Sequence, residues 1–154
     1  MITKTLSTAL LLGLITTSLN AKGMNSPQKI FQKKCNMCHN LTKPKNKQEK
    51  MKMTAPPISI AMRSVIIGVD AIEGPVSDSE LRELSIEFLT DYLKEPSQEK
   101  GYCEDMSYKK FGTMPSMKGF MTDKQIDTVV PWVIDNFSPK KDANGKYIIH
   151  SKRK

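Results

Sequence analysis

Residues 35–39 read Cys35-Asn36-Met37-Cys38-His39. Two residues between the thiols make one tight turn of helix, so both sulfurs point the same way. The imidazole follows the second thiol directly. Upstream, Ser26-Pro27 has the form of an N-cap with proline in the first turn. Ile30, Phe31, Lys34 and Cys35 continue at helical spacing up to Cys38, so the cysteine pair sits at the end of a helix. A thioredoxin-like redox pair follows a strand and opens a helix within an alternating strand–helix pattern, and no such pattern is visible. A tetrahedral zinc site needs four ligands, and the further candidates, Cys103 and His150, are remote and isolated.

Cysteine, two residues, cysteine, histidine is the pattern of covalent haem attachment. Each thiol adds to one vinyl group on the same edge of the porphyrin, and the imidazole next to the second thiol then reaches the iron. Thioether bonds are indifferent to the redox state of the compartment, and they retain a haem in a domain too small to enclose it. The expected cofactor is therefore one haem c held by Cys35 and Cys38, with His39 as an iron ligand.

For the second axial position the sequence favours Met114. It lies far downstream of His39, in the loop segment Phe111-Gly112-Thr113-Met114-Pro115, shortly before the last helix. A thioether is a soft, neutral ligand that favours ferrous iron. The chain has 10 methionines, whose ordinary role is core packing. Met117 is the nearest rival, followed by Met51, Met53, Met62 and Met106. Bis-histidine ligation through His150 would have to order a polar tail, at a cost in entropy.

Helix signals dominate the remaining chain, with no repeat and no alternating strand pattern, so the fold class is all-α. A lysine-rich loop carries Lys43, Lys45, Lys47, Lys50 and Lys52. After Ala55-Pro56-Pro57, the residues Ile58, Ala61, Met62 and Val65 form a short amphipathic helix that Gly68 closes, with residues 68–76 as a loop. Ser77 and Glu80 form a capping box before the stripe Leu81, Leu84, Phe88 and Tyr92, and Pro96 ends that helix. Residues 96–119 read as loop-rich. Thr122 and Gln125 cap a last helix whose buried face is Ile126, Val129, Val130, Val133 and Phe137. Pro131 inside it predicts a kink or a later start.

The segment 1–21 reads as an export signal. Lys4 precedes an apolar stretch from Leu6 to Leu19, and Ala21 is a plausible cleavage point, with cleavage after Ser18 as a second option. The stretch is short and rich in Thr and Ser for a membrane span; retention as an uncleaved anchor is the alternative. The absence of a cysteine at the cleavage point speaks against a lipoprotein. The full chain has a formal charge of +8, and removal of the signal takes away one lysine and no acid, so the mature chain stays basic. It divides into a domain over residues 22–138 and a basic, flexible tail over 139–154. Basic surfaces attract acidic proteins, nucleic acid or anionic lipid. No nucleic-acid motif is present and aromatics are sparse, which leaves an acidic protein as the expected partner.

At these residues the chain resembles the monohaem class I c-type cytochromes. The resemblance rests on Phe31 shortly before the first cysteine, the motif at 35–39, Pro56-Pro57, Met114-Pro115, and a closing amphipathic helix with Trp132. It implies an all-helical fold wrapped around the haem, with the first and last helices crossing near Phe31 and the face from Val129 to Val133. It also implies that the far nitrogen of His39 donates to the carbonyl of Pro56 or Pro57, with Pro57 preferred. Two features depart from the family pattern. The stretch from Ser64 to Lys110 is longer than the smallest members need. Cys103 has no counterpart, and is left as a buried inert thiol, an interchain disulfide or a reactive surface thiol.

The expected function is outer-sphere transfer of single electrons by an exported, periplasmic protein that is not itself an enzyme. The lysines from Lys43 to Lys52 either steer an acidic redox partner or are ordinary solvated loop residues. The alternatives are an electron-entry subunit of a larger oxidoreductase, a haem-based ligand sensor, and a haem-free thiol redox protein.

Overall fold

The computed structural model describes residues 26–148. The export segment 1–21 and His150 therefore lie outside the described residues. Six helices follow one another: α1 (Pro27–Lys34), α2 (Lys47–Met51), α3 (Ile58–Glu73), α4 (Asp78–Lys94), α5 (Asp105–Phe111) and α6 (Asp123–Phe137). Two isolated bridges, Lys118 with Met121 and Lys141 with Tyr147, are the β-type pairings among the described residues. The all-α expectation holds at that level.

The core forms where α1 crosses α6. Phe31 is fully buried, with Ile126, Val129 and Val130 beside it. Its ring lies 5.6 Å from Trp132 and 6.0 Å from Phe137, and those two rings meet edge-on at 5.5 Å. Full burial of a side chain such as Phe31 contributes about 1.5–3 kcal/mol. The helices α3 and α4 complete the bundle through Met62, Val65, Ile66, Val69, Leu81 and Leu89. Arg82 of α4 reaches α6 with two hydrogen bonds to Asp135, at 2.6 and 2.9 Å.

The caps fall mostly where the sequence puts them. Thr122 and Gln125 form both halves of a capping box. Ser77 Oγ accepts from the Glu80 N–H at 3.2 Å. Ser26 occupies the N-cap of α1 without a side-chain bond, and Pro27 supplies the preset φ. On α4 the buried line is Leu81, Ser85 and Leu89, with Leu84 and Phe88 half-buried beside it.

Four expectations are corrected. Gly68 does not close α3, which runs on to Glu73 and stops at Gly74, whose φ is +79°. Gly68 serves a close approach instead: a Cβ there would collide with the ring of Tyr102. Pro131 neither delays nor ends α6. The donor it lacks would have met the carbonyl of Asp127, an exposed residue whose carbonyl water can satisfy. The loop-rich stretch 96–119 contains α5, closed by Gly112 at φ +72°. The tail is not free from 139 to 148: Tyr147 Oη donates to Asp70 Oδ2 at 2.7 Å, and Lys141 Nζ lies 3.3 Å from Asp70 Oδ1. Asp142 Oδ1 shapes the turn between them, accepting from the N–H groups of Asn144 and Lys146 at 2.9 Å each.

Candidate functional site

The end of α1 builds the first part of the site. Cys35 is the C-cap, its N–H donating to Phe31 O at 2.8 Å. The N–H groups of Cys38 and His39 both donate to Cys35 O, at 3.1 and 2.9 Å. One turn thus carries both thiols and the imidazole. All three side chains line a single cavity of about 500 Å³. That is within the range of cofactor and ligand sites, about 300–1,000 Å³. Its walls are largely apolar, with Phe31, Ile58, Val65, Leu89, Val130 and Val133 among them.

The electrostatics follow from burial. The Cys35 thiol is pushed up to about 11 by desolvation, with neighbouring Cys38 adding to the shift. Burial pushes the His39 imidazolium down, opposed by a bond to the Pro56 carbonyl. Burial thus favours the neutral form of the imidazole. Its Nδ1 lies 2.8 Å from Pro56 O, and a carbonyl only accepts, so Nδ1 carries the proton. The lone pair is left on Nε2, the form in which histidine binds metals.

The acceptor is Pro56 and not Pro57, the carbonyl that the family resemblance favours. The reason lies in α3: the Pro57 carbonyl accepts the N–H groups of Ile60 and Ala61 at 2.8 and 3.1 Å, in the first turn of the helix. A second bond, Ile58 N–H to Asn40 O at 3.0 Å, runs beside the histidine bond. Together they join the two ends of the loop over residues 40–57.

The cavity sorts the methionines. Met114 lines it, half-buried, as do Met62 and Met117. Met117 is only 8% exposed, and its N–H is tied to Leu93 O at 2.8 Å. Met51, Met53 and Met106 do not line the cavity, and Met51 and Met106 are 68% and 71% exposed. No group of three His, Cys, Asp or Glu side chains able to hold a metal occurs among the described residues.

The stretch from Ser64 to Lys110 supplies wall residues that the sequence did not assign to the site, Tyr92, Ser107 and Tyr108, and Phe111 joins them at the start of the Met114 segment. Tyr92 was legible only as part of an apolar stripe. Its hydroxyl is pushed above the ordinary tyrosine range by burial, then by Tyr108. Cys103 is half-buried and lines the same cavity. Desolvation raises its thiol, opposed by a hydrogen bond with Ser64. That environment suppresses the thiolate and with it the reactivity of a surface thiol.

No protein-family model matches the chain, and no solved structure matches it. Among curated proteins, an uncharacterized protein of Aquifex aeolicus (strain VF5) is 28% identical over 116 residues, covering 70% of this chain and 71% of that protein.

Proposed function

We propose that this chain is an exported electron-transfer protein of the cytochrome c type, carrying one covalently attached haem. The observation that carries the reading is a single turn, Cys35 to His39, on an apolar cavity whose wall also holds Met114. The donor set fits the group: two thiols on one turn, a neutral imidazole with a free lone pair, a soft thioether and walls that exclude water. Cys35 and Cys38 would hold the macrocycle through thioethers, and His39 and Met114 would ligate the iron. The haem supplies reversible one-electron chemistry between ferric and ferrous iron.

The protein's own part is positioning and solvation. The Pro56 carbonyl fixes the ring of His39 and raises the basicity of Nε2. With the group bound, the apolar walls would shield it from water and keep the local dielectric low, which keeps reorganisation small. Among the described residues no helix is long and apolar enough to cross a membrane. Export to the periplasm rests on the segment 1–21 alone. The partners proposed are redox proteins with acidic docking surfaces, attracted by the basic chain.

The test is a reduced-minus-oxidised spectrum of the exported protein together with its intact mass. A low-spin c-type spectrum, one haem added in mass and indifference to carbon monoxide are expected. Ready carbon monoxide binding would favour a ligand sensor, and a colourless protein would sink the proposal. Met114→Ala is expected to convert the iron to a form that binds carbon monoxide while covalent attachment persists.

A further inference from the structure

A second, open concavity of about 600 Å³ lies on residues 44–51, with Lys110 of α5 reaching across to it, and its lining shares no residue with the first. Lys45, Lys47, Lys50 and Lys110 line it, with Pro44 and Met51 as its apolar contribution. The loop lysines alone read equally well as solvated surface charges. The structure adds a fourth from much further along the chain, and fixes it there: Lys110 Nζ donates to Lys50 O at 3.1 Å.

Among the described residues no ion pair joins these four lysines to a carboxylate. Elsewhere the chain pairs its lysines with acids, Lys94 with Asp123 and Lys100 with Asp91, each at 2.9 Å. Residues 43–52 hold five lysines and one acid, Glu49. That carboxylate is turned into its own loop, where Oε2 accepts from the Lys45 N–H at 2.7 Å and Oε1 from Asn46 Nδ2 at 3.2 Å. Among the described residues none with a carboxylate lines the concavity. Four lysine side chains on one hollow raise the positive potential there, which an anion in the hollow would offset.

The chemistry of the donors selects the anion. All four are lysines, and no arginine among the described residues lines the hollow. Arginine's planar fork adds two parallel bonds to a carboxylate or a phosphate, whereas each lysine acts as a compact point charge, so four of them on one small hollow favour an anion of high charge density. We propose that this concavity binds a multivalent phosphate-type oxyanion of at least two linked phosphoryl groups. The proposal does not rest on the haem reading, since none of its residues lines the other cavity.

The probe is inorganic diphosphate, titrated into the mature full-length protein by calorimetry, with inorganic monophosphate and a short oligoglutamate peptide as comparisons. Diphosphate is expected to bind with one-to-one stoichiometry at low salt, more tightly than monophosphate, and to weaken as sodium chloride rises. Lys50→Gln with Lys110→Gln is expected to reduce affinity by about tenfold or more. Lys45→Gln with Lys47→Gln, which leaves the Lys110 tether intact, is expected to do the same. Lys140→Gln with Lys146→Gln, outside the concavity, is expected to leave affinity unchanged. Absence of saturable binding at low salt, equal loss in the control variant, or tighter binding of oligoglutamate than of diphosphate would overturn the assignment; the last result would make the hollow a protein-docking surface.

Discussion

Between α1 and α6 the contact is made of rings, with Phe31 buried against Trp132 and Phe137. Between α2 and α5 it is a lysine ammonium on a backbone carbonyl, and neither helix contains a buried residue. The first contact is held by removal of apolar surface from water. The second is held by caps and polar tethers that water competes for. The difference divides the labour: the ring seam sets the position of the turn bearing Cys35 and His39, while the α2–α5 face is left polar, charged and open to a ligand. Stability is therefore expected to be uneven, with opening free energy highest at the seam and lowest at α2 and α5.

The largest effect tests the seam. Phe31→Ala is expected to cost about 3–5 kcal/mol in denaturant unfolding, because the emptied volume lies among rigid rings and valines. A loss below about 1 kcal/mol would show that the seam does not carry the fold. Next, Gly68→Ala forces a methyl group against the Tyr102 ring and is expected to cost about 1–3 kcal/mol. The same measurement serves, and a stabilised variant would restore the glycine to the role of an ordinary helix weak point.

A smaller effect concerns the tail. Burial, then the Asp70 carboxylate, raises Tyr147 above the ordinary tyrosine range. An unfolded tyrosine ionises near pH 10, so the contact stabilises fully below about that pH and is lost as pH rises through the folded value. Tyr147→Phe is expected to cost about 1 kcal/mol at neutral pH and to abolish this alkaline dependence in hydrogen exchange of residues 140–148. An alkaline profile unchanged by the substitution would refute the assignment. The smallest effect is at α2: Asn46→Ala removes the acceptor for the Glu49 N–H and is expected to cost about 0.5–1 kcal/mol. Faster exchange should stay confined to α2; if it spreads to α6, the two regions are not independent.

The sequence made α1, α4 and α6 legible because local chemistry and long-range packing agree there. Ser77, Thr122 and Gln125 mark starts, and the apolar periodicity marks the faces that are buried. The misreadings share one cause. Gly68 looks like a stop, and its real constraint is the ring of Tyr102, well beyond any local window. Asp70 carries no local sign that Lys141 and Tyr147 will fold back onto it. Pro56 and Pro57 are indistinguishable as letters, and only the first turn of α3 decides which carbonyl remains open to His39. For the candidate site, the turn at 35–39 and the place of Met114 on the cavity wall were legible from spacing and neighbours. The wall from α4 and α5 was not, because Tyr92, Tyr108 and Phe111 gain their place from tertiary packing.

The paired bonds from His39 to Pro56 and from Ile58 to Asn40 act as a staple across the neck of the loop they enclose. Loop closure depends only weakly on length once the ends are fixed. Residues 43–52 can therefore be exchanged, lengthened or shortened with little disturbance of the imidazole, which makes this loop a natural grafting point for altering the surface while the turn bearing His39 keeps its place.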